Sequence, residues 1–238
     1  MSKRLLILYC FCFPFPFLLY GQVEYFYSLD DIDSVYLYSQ DRELSSYLSN
    51  LNRKMEEKMS VEIGVSEREW LPVTSSSDTA LASLLTRLLL QCGNRASLDY
   101  DGKVVDISML NYGGVRSSLP AGVVTMGNLY NILPFENVIV LVDIAGNEIL
   151  KMVNNAKDTL FASFYGLKIS EDKEVTINGE MVDLQRKYRL VTIDYIALGG
   201  DNIMKDISFT QVLNTQQLLR EGILDQFLLL KSKNQSIR

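Results

Sequence analysis

Apolar residues recur along this chain at helical, alternating and continuous spacings, and each spacing predicts a different element. Over Glu43 to Lys58, Leu44, Tyr47, Leu48, Leu51 and Met55 return every three or four positions, which predicts an amphipathic helix. Its apolar stripe either packs on the chain's own core, the ordinary outcome, or offers a docking face to a partner. Val61 to Val65 reads as a strand, followed by a polar loop through Ser77. Asp78 is placed to cap a helix over Thr79 to Gln91, with Leu81, Leu84, Leu85 and Leu88 on its face and an end near Gly93. Continuous apolar runs at Val104 to Leu110 and Val138 to Ile144 predict buried strands; Ala145-Gly-Asn147 leads from the second into a helix over Glu148 to Asn155. Phe164 to Ser170 is a further strand. Val175 to Ile177, Asn178-Gly179 and Glu180 to Leu184 form a hairpin, since Asn-Gly suits the tight turn that twisted strands need. Arg189 to Ile196 reads as a buried strand and Asn214 to Lys231 as a terminal helix, with Gly222 a weak point costing about 1 kcal/mol relative to Ala. Strands and helices interspersed without strict alternation predict the α+β class: a single domain of mixed β-sheets layered with helices.

Composition narrows the chemistry. The 238 residues are 47% hydrophobic, enough for one sizeable core. Residues 1–21 have the form of an export signal, with Lys3 and Arg4 ahead of an apolar run to Leu19 and Tyr20-Gly21 as a cleavage site. The alternative, an uncleaved anchor, is disfavoured by Pro14 and Pro16 in a stretch already short for a membrane span. Removing the signal leaves 21 basic against 29 acidic residues, a net charge of −8 that suits nucleic acid poorly. It also removes Cys10 and Cys12, so Cys92 remains alone. With no histidine in the chain to activate it, Cys92 reads as a core residue rather than a nucleophile.

The chemistry-bearing stretch is Asn111 to Asn137, NYGGVRSSLPAGVVTMGNLYNILPFEN. It opens where the first buried run ends. Gly113 and Gly114 allow close approach to the backbone, and Arg116 supplies a planar fork suited to carboxylate or phosphate. Pro120 and Gly122 make a second turn. Thr125 caps a short helix over Met126 to Ile132, which Pro134 ends just before Phe135. An amide, a guanidinium and an aromatic ring are thus set on turns around one strand end.

These residues resemble the C-terminal domain of the 5′-nucleotidase family, whose signature reads N-x-G-G-[IV]-R, then L-P-x-G, then L-P-F-x-N. Asp194-Tyr-Ile-Ala-Leu-Gly-Gly-Asp201 resembles the family's second signature. The likeness covers about residues 30 to 210. It implies that Phe135 and Tyr195 stack on a nucleobase, that Asp201 accepts from ribose, and that Asn111, Gly113, Gly114, Arg116, Asn137, Gly199 and Gly200 complete the substrate-binding set. Taken singly, each has a plainer reading: Phe135 in the core, Tyr195 packed with a wet hydroxyl, Asp201 and Asn111 holding turns, Arg116 in a surface ion pair. Three departures stand out. Tyr195 replaces the more usual Phe, Asn202 replaces a Gly, and the arginines that touch phosphate in some members have no counterpart beyond Arg68.

The family's hydrolases carry their two-metal centre in a separate N-terminal domain. This chain, without histidine or a dense Asp/Asn motif, is expected to hold no metal or other cofactor itself. The expectations are therefore residues 1–21 as signal, 22–60 as lead-in and linker-type helix, and 61–238 as a nucleotide-specificity domain. That domain would be exported to periplasm, exterior or cell surface, and would work with a separate metallophosphatase in nucleotide catabolism. A non-catalytic nucleoside- or nucleotide-binding protein and a degenerate structural member are the alternatives.

Overall fold

The computed structural model describes residues 42–72, 80–159 and 162–238. The expected export signal, the expected lead-in over residues 22–40 and the expected Asp78 cap lie outside the described residues. The chain divides between Asn50 and Leu51 into two units. Of the first, only the start of a helix is described, and the fold below is that of Leu51–Arg238.

The elements are α1 (Arg42–Met59), β1 (Glu62–Ser66), α2 (Leu81–Asp101), β2 (Ile107–Asn111), β3 (Gly122–Thr125), α3 (Met126–Ile132), β4 (Val138–Ala145), α4 (Gly146–Thr159), β5 (Ala162–Tyr165) and β6 (Leu167–Ile169). They continue with β7 (Val175–Ile177), β8 (Glu180–Met181), β9 (Lys187–Ile193), α5 (Asp194–Ala197), β10 (Phe209–Leu218) and α6 (Leu219–Ser232). The main sheet has the order β10-β4-β9-β2-β5, with β2 and β9 parallel and the other pairs antiparallel. β1 pairs with β3, and β6, β7 and β8 form a small three-stranded sheet. The long apolar strands β4 and β9 sit in the middle of the main sheet and are buried almost throughout, as near-continuous hydrophobic runs must be. Helix α2 lies against β2 and β5 and touches α6, closing the core with Leu81, Leu85 and Leu89. The α+β expectation holds. Among the described residues no helix is long and apolar enough to cross a membrane.

Several expected boundaries move, each for a visible reason. Gly93 does not end α2; the helix runs on to a left-handed Gly102, and a Cβ at Gly93 would stand 2.7 Å from Val191 Cβ. The glycine is there so that helix and sheet can approach. β2 starts at Ile107 rather than Val104, because the Asp106 side chain is held by the Arg189 N–H at 2.8 Å. The strand expected over Phe164 to Ser170 breaks at Gly166, whose φ of 84° brings it so close to Asp106 that a Cβ would lie 2.2 Å from the Asp106 carbonyl. The terminal helix is shorter than expected: Asn214 to Leu218 belongs to β10, which pairs with β4, and the helix begins at Leu219. Gly222 does not break it; a Cβ there would stand 3.0 Å from Ile139 and 3.1 Å from Cys92, so the glycine admits close packing. The helix predicted over Glu148 to Asn155 starts at Gly146, where a Cβ would meet the Asp183 carbonyl at 2.0 Å. Of the apolar stripe of α1, expected to pack inward, the residues within this unit, Leu51 and Met55, are exposed.

Other expectations stand. Thr125 caps α3 through a reciprocal box, its N–H donating to Asn128 Oδ1 at 2.8 Å. Asn178 and Gly179 take φ of 53° and 88° in the hairpin turn. Cys92 is buried, and burial pushes its thiol up to about 11.

The sequence did not announce a charged cluster at the start of β9. Arg189, only 3% exposed, grips Asp143 with Nε and Nη2 at 2.9 and 3.1 Å. Its Nη1 donates to Ser97 at 2.9 Å and to Asp101 at 2.6 Å. Arg186 and the Arg189 backbone share Asp106. A planar fork with five donors satisfies such a set of acceptors where a lysine would not.

Candidate nucleotide-binding site

Because β2 and β9 run parallel, their carboxyl ends lie side by side, and the residues that follow both strands converge there. Asn111 ends β2 and is 5% exposed. Its Nδ2 donates to Asp201 Oδ2 at 2.7 Å, and the Tyr195 hydroxyl donates to Asp201 Oδ1 at 2.9 Å. The carboxylate is thus clasped from both sides by residues 90 and 6 positions away in sequence. Each carboxylate oxygen still keeps a lone pair for a further donor.

The glycines have separate jobs. Gly199 adopts φ 99°, and a Cβ on Gly200 would lie 2.4 Å from the Tyr195 ring, so only glycine lets that ring rest against the loop. Asp201 and Asn202 both take left-handed φ, 54° and 57°, which Asp and Asn tolerate better than most residues. That explains how Asn202 can stand where the family has glycine. On the other side, a Cβ at Gly114 would meet Asn111 Oδ1 at 2.9 Å. Gly113 is exposed beside it.

Asn111 Oδ1 is buried without a hydrogen-bond partner among the described residues. An orphaned acceptor of this kind costs about 1–3 kcal/mol and asks for a reason. A cleft of about 10 Å³, room for roughly one water, is lined by Asn111, Gly114, Phe135 and Asn137 among others. A nucleobase cannot enter so small a space; a ring would lie on the surface against Phe135 or Tyr195, which are 48% and 44% exposed. Large aromatics left this open have no core role.

Two groups of expected residues therefore meet at Asn111: Phe135, Asn137 and Gly114 through the cleft, Tyr195 and Asp201 through hydrogen bonds. Arg116 is exposed, and its side chain reaches only the Gly113 carbonyl, at 3.3 Å. Arg68 lies 3.8 Å over the Trp70 ring and does not line the cleft. Tyr195 is not on a strand, as its apolar neighbours suggested, but on the single turn α5. The Asp201 carboxylate that accepts its proton, and the negative charge it carries, raise the Tyr195 phenol above its ordinary range.

Two supporting residues escaped the sequence reading. Asp194 accepts from the Val138 N–H at 3.1 Å and the Tyr195 N–H at 2.8 Å, tying the start of β4 to the turn that carries Tyr195. Arg220, 8% exposed, donates to the Leu133 carbonyl at 2.8 Å and stacks 4.1 Å over Tyr130. It steadies the segment leading to Phe135. Asp194 stands at the head of the second signature stretch but has no predicted role there, and Arg220 sits in a leucine-rich stretch without a signal. Among the described residues, no three His, Cys, Asp or Glu side chains converge as ligands of a metal ion would.

Comparison with known proteins identifies the family. The family described as 5′-nucleotidase, C-terminal domain, matches residues 62–207. Protein UshA of Yersinia enterocolitica is 32% identical over 153 residues, 60% of this chain and 26% of its own length. A 5′-nucleotidase of Vibrio parahaemolyticus is 27% identical over 189 residues, 74% of this chain and 32% of its own. The crystal structure of a 5′-nucleotidase precursor from Thermus thermophilus superposes with a TM-score of 0.66 at 25% identity, covering 79% of this chain and 40% of that one. The chain thus spans about a quarter to a third of the length of the curated relatives it matches. Over more than half its length it carries the family's pattern, fold and signature residues: this chain belongs to the 5′-nucleotidase C-terminal domain family.

Proposed function

We propose that this chain is an exported specificity domain that holds a nucleoside or nucleotide for a 5′-nucleotidase-type phosphoester hydrolase. Phe135 and Tyr195 stack on the base, and Asp201 accepts from a ribose hydroxyl through its remaining lone pairs. Asn111, Asn137 and Arg116 supply polar contacts at the rim. Stacking on an aromatic ring contributes about 1–3 kcal/mol per base and tolerates different bases. A separate metallophosphatase domain supplies the metal ions and the hydroxide. Binding energy from base and ribose then serves to orient the phosphoester at that centre.

The observation that carries this reading is the exposure of two large aromatics beside a carboxylate already fixed by the Asn111 and Tyr195 hydrogen bonds. Such preorganised groups are what a recognition surface needs and a core does not.

Calorimetric titration of the chain with AMP and with adenosine, in metal-free buffer, tests it. Saturable binding is expected, lost in the Phe135→Ala, Tyr195→Ala double variant. A folded chain that binds neither ligand, or a double variant that binds both unchanged, overturns the assignment. Nothing in the geometry favours catalysis by this chain alone.

A further inference from the structure

On another part of the fold a groove of about 1130 Å³ runs beside β5, the outermost strand of the main sheet. Every residue from Ala162 through Ile169 lines it. Four of these, Ala162 to Tyr165, are β5 itself; successive side chains of a strand point to opposite faces, so a groove touching all four follows the β5 edge rather than either face. Among the described residues no strand pairs with β5 on the side away from β2, so that edge presents backbone N–H and C=O groups without a ladder partner.

The groove is also charged in one sense. Arg68, Arg87, Lys168 and Arg238 line it, and among the described residues that do so there is no Asp or Glu. This is unexpected on a chain of net charge −6. Arg238 is ion-paired to Glu67 at 2.8 Å, and Arg87 donates to the Arg238 carbonyl. Arg68 and Lys168 have no carboxylate partner among the described residues, and Arg68 is held in place by its stacking on Trp70. Trp70, 3% exposed and covered by that guanidinium, has no free face for a base. The open strand edge, which offers main-chain hydrogen bonds, suits an extended polypeptide.

We propose that the β5 edge is a docking groove for an extended acidic segment of a partner protein, added as a further strand. Main-chain hydrogen bonds to Ala162–Tyr165 supply the register, and Arg68 and Lys168 receive the segment's carboxylates. A lysine beside an edge ordinarily deters pairing with other strands. Here it deters neutral and basic ones and leaves acidic ones admitted, which is a specificity device. This proposal stands independently of the nucleotide site, with which the groove shares none of its lining residues Phe135, Asn111 or Asn137.

The probe is a fluorescein-labelled octapeptide alternating glutamate and valine, with a lysine–valine octapeptide as control, read by fluorescence anisotropy. Amide hydrogen exchange is followed in parallel. The expected result is saturable binding of the acidic peptide that weakens as salt is raised, with slowed exchange at the β5 amides. An Arg68→Glu, Lys168→Glu variant of unchanged melting temperature loses that binding. A glutamate–valine peptide N-methylated at alternate residues loses it too, because methylation removes the strand hydrogen bonds. Three results overturn the proposal: no saturable binding to the folded chain, equal binding of the lysine peptide, or undiminished binding of the methylated one. A dimer in sedimentation that the acidic peptide does not dissociate assigns the edge to a second copy and overturns it as well.

Discussion

The two ends of the β2–β9 pair carry the same kinds of side chain and use them in opposite ways. At the amino end, Arg189, Asp143, Asp101 and Asp106 form a closed network, the cation 3% exposed and its donors matched to acceptors. At the carboxyl end, Asp201 is held by Asn111 and Tyr195, but the Tyr195 ring is open to solvent and Asn111 Oδ1 has no partner among the described residues. Charge balance explains the difference. A guanidinium with five donors needs several acceptors to be buried, and once they are supplied the group is shut. A lone carboxylate fixed by two neutral donors keeps spare lone pairs. One end of the strand pair is closed by the chain's own side chains; the other leaves the Tyr195 ring at the surface.

Arg189→Ala tests that contrast most severely. Without the guanidinium, Asp143, Asp101 and Ser97 lose their donor together, and the loss is expected to be about 3 kcal/mol, the lower end for a broken buried pair because both carboxylates can rehydrate. Urea denaturation measures it, and a loss no larger than that of an average surface substitution would erase the distinction between the ends.

Acid sharpens it next. The Arg189 hydrogen bond holds the Asp101 carboxyl below its ordinary range, and Lys151 does the same for Glu148. A carboxyl lowered on folding adds stability that is complete above its unfolded pKa of about 4 and is lost as the pH falls through the lower folded value. The melting-temperature gap between the parent chain and Asp101→Asn is therefore expected to be constant from pH 7 to 5 and to close towards pH 2.

Smallest is the effect of Tyr195→Phe on the fold. It removes an exposed hydrogen bond and leaves the stacking face, so the melting temperature should not move, while spectrophotometric titration should lose one late-ionising phenol. An unfolded or strongly destabilised Tyr195→Phe would mean that the carboxyl end is structural like its opposite.

Much of this was legible beforehand where the deciding interactions are local. Thr125 and Asn128 are three residues apart, and Asn178-Gly179 needs only its own left-handed geometry, so the α3 cap and the hairpin follow from short stretches. The candidate residues of the two signatures were legible in the same way, from short stretches. The errors fall where a distant residue intervenes: Gly93 is answered by Val191 and Gly166 by Asp106, and Asn214 to Leu218 is drawn into a strand by β4. A glycine in isolation reads as a terminator; whether it ends a helix or admits a neighbouring strand depends on what stands opposite.

The sequence by itself determined the class, the family, the order of most elements and the identity of the residues at the carboxyl end of β2. Periodicity, turn chemistry and motif spacing are properties of neighbours along the chain. Only the tertiary structure decided that Asn111 and Tyr195 clasp the same carboxylate, and that Arg189 is shut away while Arg68 and Lys168, without a carboxylate partner among the described residues, line the groove beside β5. Those facts join residues tens of positions apart. Their energies come from burial and pairing, which exist only once the strands are side by side.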